Sequence, residues 1–396
     1  MDTMEAAMDD FVFHNTTKII FGRGMESRVG QETRTFGSKA LLHYGGGSVK
    51  RTGLFDRVAS SLKEAGVSFV ELGGVAPNPR LSLVRQGIEL CRKERVDIII
   101  AIGGGSSIDS AKAIAVGVPY SGDVWDFYSG AAVPQKAMPI GTVLTIPAAG
   151  SEASTGSVVT KEEGQLKRAF NSELVYPRFS ILNPELAFTL PKSQVANGVT
   201  DIMSHLMERY FTNSRPVELT DRLIEATLRT VIDAAPRVLA KPNDYDAWAE
   251  LMWSGTIAHN NLLNTGRVGD WGSHDLEHEL SAIYDIAHGA GLAVVFPAWM
   301  KYVYKHDIAR FAQIAVRIWG VEQDFFDPER TALAGIARLE AYWSSIGQAV
   351  RLSGLGIGGD RIGEMADKVS ARGTKQVGNF VKIGRAEAER IYALAL

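Results

Sequence analysis

Residues 96–115 read VDIIIAIGGGSSIDSAKAIA, and this stretch decides the fold class. The apolar run 96–102 is typical of a strand that is buried on both faces of a parallel sheet. Three glycines end the run, and a helical pattern then begins near Ser106 or Ser107, either of which could cap the helix. A strand, a glycine turn and a helix in this order predict a unit of a parallel α/β sheet.

The same order recurs in the first half of the chain. Residues 39–44 (KALLHY) predict a strand that runs into the glycine turn 45–48, followed by a helix at 53–65 and a strand at 68–72. A further helical pattern covers 81–94. Residues 11–21 (FVFHNTTKIIF) predict a strand pair at the sheet edge.

The second half has a different character, because segments with helical periodicity dominate it. These segments are 192–212, 216–240, 244–263, 288–304 and 328–351. A chain of 396 residues is too long for one ordinary core, so we expect two domains. We predict an α/β dinucleotide-binding domain at 1–191 and an all-helical domain at 192–396, where Pro191 can open the first helix.

Composition excludes several classes of protein. The net charge is -3, from 42 basic and 45 acidic residues. The sequence has no run of basic residues, so we expect no nucleic-acid partner. The single cysteine, Cys91, excludes an internal disulfide and fits a reducing compartment, so we expect a cytoplasmic protein. Residues 1–10 lack the basic start of a targeting peptide, and no apolar stretch approaches the roughly 20 residues of a membrane span.

The glycine turn at 103–109 (GGGSSID) predicts an anion site. Backbone amides at a helix N-terminus attract negative charge, and glycines allow a pyrophosphate to approach. Ile108 stands where the usual dinucleotide fingerprint has its third glycine, and a tight turn without a ligand is the alternative. A second glycine turn at 45–48 should lie at the same edge of the sheet, and together the two turns favour a dinucleotide.

A second constellation predicts a metal site. Asp201 and His205 are four residues apart in a helical pattern and share one face, although such a pair alone is more often structural. Residues 269–291 add His274, His278 and His288, a cluster that packing explains poorly. An aspartate with histidines and no thiolate suits Fe, Zn, Mn or Co.

Spacing leaves the histidine partners open. His274 and His278 could share a helix face, whereas His288 lies about 21 Å from His274 along an unbroken helix. One ion with bonds near roughly 2.1 Å cannot span that distance. If His288 is a ligand, the chain must bend before it, and Tyr284 and Asp285 offer the place.

Several stretches together resemble one family over nearly the whole chain: FVFHNTTKIIFGRG, YGGGSVKRTG, PNPR, GGGSSIDSAKAIA, LTIPAAGSEAS and ANGVTDIMSHLMERY, with the histidine segment. This family is the iron-containing (group III) alcohol dehydrogenases, in the branch of butanol dehydrogenases and NADPH-dependent aldehyde reductases. The resemblance implies a dehydroquinate synthase-like fold, with an α/β dinucleotide-binding domain, an all-α metal-binding domain and an active site in the cleft between them. It also implies a homodimer.

The resemblance assigns roles by position. The implied metal ligands are Asp201, His205, His274 and His288, and His278 takes the place of a cleft histidine near nicotinamide and substrate, our candidate for the proton relay. The implied cofactor contacts are Gly46, Gly47 and Ser48 around the adenosine ribose, with Gly104, Gly105, Ser106, Asp109, Thr145, Ser151 and Lys167.

The implied reaction is hydride transfer between NADP(H) and a primary alcohol or aldehyde, with the metal polarising the substrate oxygen. Two features bear on the cofactor. Glu71 at the end of the second strand would favour NAD in an ordinary Rossmann unit. At the position where NAD-selective relatives carry aspartate this chain has Gly46, with Lys50 and Arg51 nearby, so we predict NADP; the alternative is that both cations are merely solvated.

Two rival functions are weighed against this one. A sugar-phosphate lyase of the dehydroquinate synthase type would need lysines and arginines for its anionic substrate, and basic residues are sparse between Ser193 and Gly291. The other rival is a non-catalytic nucleotide-binding or assembly protein. Trp253 and Trp271 are expected either to line a pocket for small aldehydes or to belong to the core.

Overall fold

The computed structural model describes residues 7–396. Its chain forms two compact units, which we call the α/β unit (His14–Leu190 and Pro242–Asn260) and the helical unit (residues 7–13, Pro191–Lys241 and Asn261–Leu396). The chain passes between the units at Leu190 and Pro191, where the sequence places the domain boundary. Residues 7–13 and Pro242–Asn260 each lie in the opposite unit from the one that a single cut would give.

Within residues 7–396, the strands all lie in the α/β unit. They are β1 Lys18–Phe21, β2 Lys39–Tyr44, β3 Ser68–Leu72, β4 Ile98–Gly103, β5 Ile140–Leu144, β6 Gly156–Lys161, β7 Leu166–Asn171 and β8 Phe179–Leu182. A parallel six-stranded sheet has the order β1-β8-β5-β4-β2-β3, and β6 and β7 form a separate antiparallel pair. The α/β architecture is confirmed, whereas the β6–β7 hairpin was not predicted.

The helices occupy both units. They are α1 Val29–Arg34, α2 Ser48–Arg51, α3 Leu54–Glu64, α4 Leu81–Glu94, α5 Gly105–Gly117, α6 Trp125–Ser129, α7 Lys192–Tyr210, α8 Glu218–Ala240, α9 Tyr245–His259, α10 Gly272–Tyr284, α11 His288–Val303, α12 Ile308–Trp319, α13 Pro328–Ser345, α14 Ile362–Val369 and α15 Arg385–Leu394. Of these, α1 to α6 and α9 belong to the α/β unit. No helix between residues 7 and 396 combines the length and apolar character that a bilayer-spanning helix needs.

The sheet brings the two glycine turns together. β2 and β4 are parallel neighbours, with Tyr44 opposite Ile102. The backbone therefore leaves both strands at the same edge, and the turns that follow Tyr44 and Gly103 lie side by side. The shared edge predicted from the sequence is confirmed. Residues 98–102 of β4 are fully buried, as a central strand covered on both faces requires.

The predicted strand pair at residues 11–21 is wrong. Only Lys18–Phe21 forms a strand, which pairs in parallel with β8 at the sheet edge. Before it, the Asn15 side chain accepts the Thr17 amide N–H at 3.0 Å and donates to the carbonyl oxygen of Ala153 at 2.8 Å. This local turn uses the Thr17 amide N–H, a backbone group that strand pairing at this point would have needed. The targeting-peptide expectation concerns in part residues 1–6, which lie outside the described residues.

Candidate functional site

Helix α7 carries the predicted carboxylate and imidazole pair in the helical unit. Asp201 and His205 are each 4% exposed, on a helix that is buried over most of its length. Nδ1 of His205 lies 3.7 Å from Oδ1 of Asp201, too far for a hydrogen bond between these two atoms. Because four residues make about one helical turn, both side chains lie on the same side of α7.

Helices α10 and α11 bring histidines to this side of α7. The ring of His274 is stacked on that of His205, with centroids 4.8 Å apart and planes inclined by 20°. Nε2 of His288 lies 3.8 Å from Oδ1 of Asp201. Between the helices, Asp285 has a left-handed backbone (φ 52°) that ends α10 and turns the chain into α11. The predicted bend is confirmed.

Two buried carboxylates hold the outer nitrogens of these histidines. Oε1 of Glu208 lies 2.7 Å from Nδ1 of His274 and also accepts the Ser273 hydroxyl at 2.5 Å. The Glu277 carboxylate is hydrogen-bonded to Nδ1 of His288. An ionised carboxylate only accepts, so Nδ1 of each ring carries a proton, and the neutral tautomer of each ring offers its Nε2 lone pair to a metal. Metal-ligating histidines are commonly held in this way.

The cluster fits a divalent metal ion. Nε2 of His274 is buried, and within the described part of the chain it has no hydrogen-bond partner. Donor atoms of Asp201, His205 and His274 all lie within 4.8 Å of one another. Two ligand atoms about 2.1 Å from one ion in tetrahedral geometry are separated by roughly 3.4 Å, so small shifts complete the site. One carboxylate and three imidazoles form a set without thiolate, suited to Fe²⁺ or Zn²⁺.

The α/β unit carries an open anion cradle at the start of α5. The helix begins at Gly105, its N-cap is Gly104, and no side chain caps it, so the predicted cap by Ser106 or Ser107 is wrong. The Ser107 amide N–H donates to the Gly104 carbonyl at 3.1 Å, which leaves the amides of Gly105 and Ser106 to a ligand. A Cβ added to Gly105 would lie 2.9 Å from Cβ of Ala149, because the turn after β5 packs closely against this glycine.

The other predicted cofactor residues lie around this cradle. Thr145 donates its amide N–H to the Gly103 carbonyl at 3.0 Å, which places the turn after β5 beside the glycines. The Asp109 carboxylate accepts the Ser151 hydroxyl at 2.5 Å and the Val158 amide at 3.0 Å. Burial raises the pKa of Asp109, and the hydrogen bonds and nearby lysines oppose that rise. Asp109 therefore fixes Ser151 and strand β6 beside α5.

Lysines complete this polar group. Lys167 on β7 is 4% exposed and acts electrostatically on Asp109. Lys112, one turn after Asp109 on α5, was not predicted. Its buried ammonium donates to the carbonyl oxygens of Ser154 and Gly156, at 2.9 and 2.8 Å. The cation offsets the buried Asp109 charge and anchors the start of β6.

The first glycine turn has open space above it. A Cβ added to Gly46 would meet no atom within 4 Å, whereas one added to Gly47 would lie 3.1 Å from Nη1 of Arg51. Ser48 begins α2 directly after these glycines. An exposed backbone, a hydroxyl and a guanidinium beside open space are suited to a sugar bearing an anion. The residues present at both turns fit a dinucleotide.

Comparison with known proteins decides the family. The family model described as "Iron-containing alcohol dehydrogenase" matches residues 16–184, and "Fe-containing alcohol dehydrogenase family, C-terminal" matches residues 195–396. The chain belongs to the iron-containing alcohol dehydrogenase family. This family uses a metal and a nicotinamide cofactor, and the protein is an NAD(P)-dependent oxidoreductase of alcohols and aldehydes.

Three similar proteins cover nearly the whole chain. A protein of Bacillus subtilis named "Probable NADH-dependent butanol dehydrogenase 1" is 43% identical, over 98% of this chain and 100% of its own. An NADPH-dependent aldehyde reductase of Escherichia coli is 36% identical over the same shares. The crystal structure of an NADH-dependent butanol dehydrogenase A from Thermotoga maritima superposes with a TM-score of 0.95, at 43% identity, covering 98% of this chain and 99% of that one.

Two further side chains border the cluster of Asp201, His205, His274 and His288. The ring of His278, on α10, lies 5.6 Å from that of His288. The ring of Trp271 lies 5.3 Å from His274, and its backbone has a left-handed φ of 67° that only surrounding structure can hold. Oε2 of Glu208 accepts the Trp271 amide N–H at 2.6 Å and supplies that support. Trp253 lies instead on α9 of the α/β unit, edge-on to Phe21.

Sequence reasoning missed the residues that support the predicted ones. Glu208 and Glu277 each follow a predicted ligand by three residues, at 208 after His205 and at 277 after His274, but neither spacing signals a buried acceptor. Asp270 was also missed. It accepts the amide N–H groups of Gly272 and Phe380, at 2.9 and 2.7 Å, and burial raises its pKa to about 7. No motif marks such residues in a single sequence.

Proposed function

We propose that this protein catalyses reversible hydride transfer between NADP(H) and a primary alcohol or aldehyde, at a site where a divalent metal polarises the substrate oxygen. The observation that supports this most is the convergence of Asp201, His205, His274 and His288 from three helices. The outer nitrogens of two of these histidines are held by buried carboxylates. These carboxylates fix the orientation of both rings.

The donor set limits the choice of metal. Three imidazoles and one carboxylate favour Fe²⁺ or Zn²⁺, and Mn²⁺ or Co²⁺ are compatible with the same donors. When bound, the metal supplies Lewis acidity and the nicotinamide supplies or accepts the hydride. Glu208 and Glu277 keep the ligand rings turned inward.

His278 is the proposed proton relay. Its imidazole belongs to the group that also contains Glu277 and His288, with donor atoms within 4.8 Å of one another. An imidazole gains and loses a proton near neutral pH, as reduction of an aldehyde to an alcohol requires. The ring is half-buried, so solvent protons can reach it.

The first glycine turn supports NADP(H) as the preferred cofactor. Gly46 presents no carboxylate that would repel a 2′-phosphate, and a Cβ there would contact nothing within 4 Å. Arg51 lies at the same turn and can pair with an added phosphate. Names of relatives point both ways, to NADH and to NADPH, so the turn itself carries the argument. We further propose a homodimer, on the ground of the family resemblance alone.

One assay tests the proposed function. Purified protein is loaded with Fe²⁺ or Zn²⁺, its metal content is measured by elemental analysis, and nicotinamide absorbance is followed with a panel of aldehydes and each reduced cofactor. We expect about one ion per chain and oxidation of NADPH that depends on both aldehyde and metal. Absence of turnover at full metal loading would contradict the proposal.

A further inference from the structure

Three side chains meet beside the first glycine turn. Tyr44 ends β2, Lys50 lies on α2 and Glu71 lies near the end of β3. One carboxylate oxygen of Glu71, Oε2, accepts the Tyr44 hydroxyl at 2.6 Å and lies 2.8 Å from Nζ of Lys50. The strand pairing sets this arrangement, because β2 and β3 are parallel neighbours.

Aromatic rings fix the position of the lysine. Nζ of Lys50 lies 4.7 Å from the centre of the Phe55 ring and 5.3 Å from that of Tyr44. The Tyr44 ring is itself confined, since a Cβ added to Gly73 would lie 2.6 Å from it. The two aromatic rings and the Glu71 carboxylate therefore hold the ammonium group next to the glycine turn.

Both ionic partners remain accessible. The side chains of Lys50 and Glu71 are each 47% exposed. The hydrogen bond with Lys50 lowers the pKa of Glu71, and Glu71 raises the pKa of Lys50, so both groups are charged at neutral pH. An ion pair in contact with solvent is weak, and a phosphate that binds nearby can break it.

Glu71 also stands at a position that is used for ribose binding in dinucleotide-binding folds. At the end of the second strand, dinucleotide-binding folds place an acidic residue that accepts the ribose hydroxyls of NAD. Here the same carboxylate is already engaged by a cation and a phenol. Its direct influence on the ribose is thereby reduced, and its influence on Lys50 becomes the larger effect.

We propose that Glu71 sets the balance between NADPH and NADH by competing with the ribose 2′-phosphate for Lys50. This inference rests on the proposed function and names the residues that select its cofactor. A 2′-phosphate draws Lys50 from Glu71, whereas NADH leaves the ion pair intact. The competition limits the preference for NADPH without abolishing the use of NADH.

The test is a set of four proteins: the wild type, Glu71→Gln, Lys50→Met and the double variant. Dissociation constants of NADP⁺ and NAD⁺ are measured by calorimetry, and the ratio of kcat/KM for NADPH and NADH is measured beside them. Lys63→Met, on the exposed side of α3, is the matched control and should leave both ratios unchanged. The fraction of active protein cancels from the ratio of kcat/KM for the two cofactors.

We expect Glu71→Gln to raise the preference for NADP⁺ about two- to fivefold, because the freed lysine serves the phosphate alone. Lys50→Met should lower it about tenfold. The double variant should match Lys50→Met closely, since Glu71 acts mainly through Lys50. A Glu71→Gln effect of the same size in both backgrounds would overturn the inference, as would no effect in either. If the wild type binds neither dinucleotide, the proposed function falls as well.

Discussion

Nδ1 of His274 lies 2.7 Å from Oε1 of Glu208, and the same carboxylate also holds the backbone of Trp271. Glu208 thus orients a predicted metal ligand and the neighbouring indole together. We expect Glu208→Gln to weaken metal binding about 10- to 100-fold, because an amide cannot accept all of these hydrogen bonds. Retention of metal during dialysis against a graded chelator measures the effect.

A surface variant controls for this experiment. Glu322→Gln, at an exposed position of the helical unit, should retain metal like the wild type. Equal retention by Glu208→Gln and the wild type would show that the carboxylate does not orient the ligand.

We expect His278 to transfer protons and not to bind the metal. His278→Gln should lower kcat about 10²- to 10⁴-fold, since an amide cannot exchange protons near neutral pH. Metal content and cofactor dissociation constants should stay at wild-type values. Loss of the metal from this variant would instead make His278 a ligand, and an unchanged kcat would remove it from the reaction.

Lys112 should be essential to the stability of the α/β unit. Its ammonium binds two carbonyl oxygens and offsets the buried charge of Asp109, and burial lowers its pKa to about 8. Lys112→Met leaves these groups without their cation, so the free energy of unfolding should fall by about 3 kcal/mol. Urea unfolding monitors the loss, with Lys63→Met as the exposed control; equal stability of the two variants would refute the role.

His43 predicts a pH dependence of stability. The ring is fully buried between the Leu72 carbonyl and the Ser110 hydroxyl, and burial lowers its pKa from 6.5 to about 4. The folded state therefore binds fewer protons than the unfolded state within this range. The stability from His43 is complete above pH 6.5 and is lost as the pH falls toward 4.

A variant isolates this contribution. Between pH 6.5 and 4 the wild type should lose about 3 kcal/mol of unfolding free energy relative to His43→Leu, because leucine at this position does not titrate. Denaturant unfolding at several pH values measures the difference. A constant difference across this range would contradict the buried neutral histidine.

Local sequence patterns were sufficient for the parts of the site that are local. Asp201 and His205 share a helix face because four residues make about one turn, and the glycine turns follow buried strands. The bend at Tyr284 and Asp285 followed from length once His274 and His288 were both taken as ligands, since an unbroken helix would separate them by about 21 Å. Each of these features depends on the geometry of one segment.

The remaining features depend on tertiary contacts. Glu208, Glu277 and Lys112 are charged residues on helices, and periodicity alone would place such residues in solvent. Only the packed helices show that they are buried and paired. Helical periodicity likewise cannot tell which core a helix joins. For this reason the sequence did not show that α9 belongs to the α/β unit.

We propose that the cluster on α7, α10 and α11 holds the metal on which catalysis depends. The most direct measurement is the metal content and turnover of His205→Ala, with His306→Ala, at an exposed site of the helical unit, as the matched control. We predict that His205→Ala loses both metal and turnover while its dissociation constant for NADP⁺ stays within about twofold of the wild type, because the predicted cofactor residues lie on the α/β unit. Full turnover by a metal-free His205→Ala would show that catalysis does not depend on a metal held by this cluster.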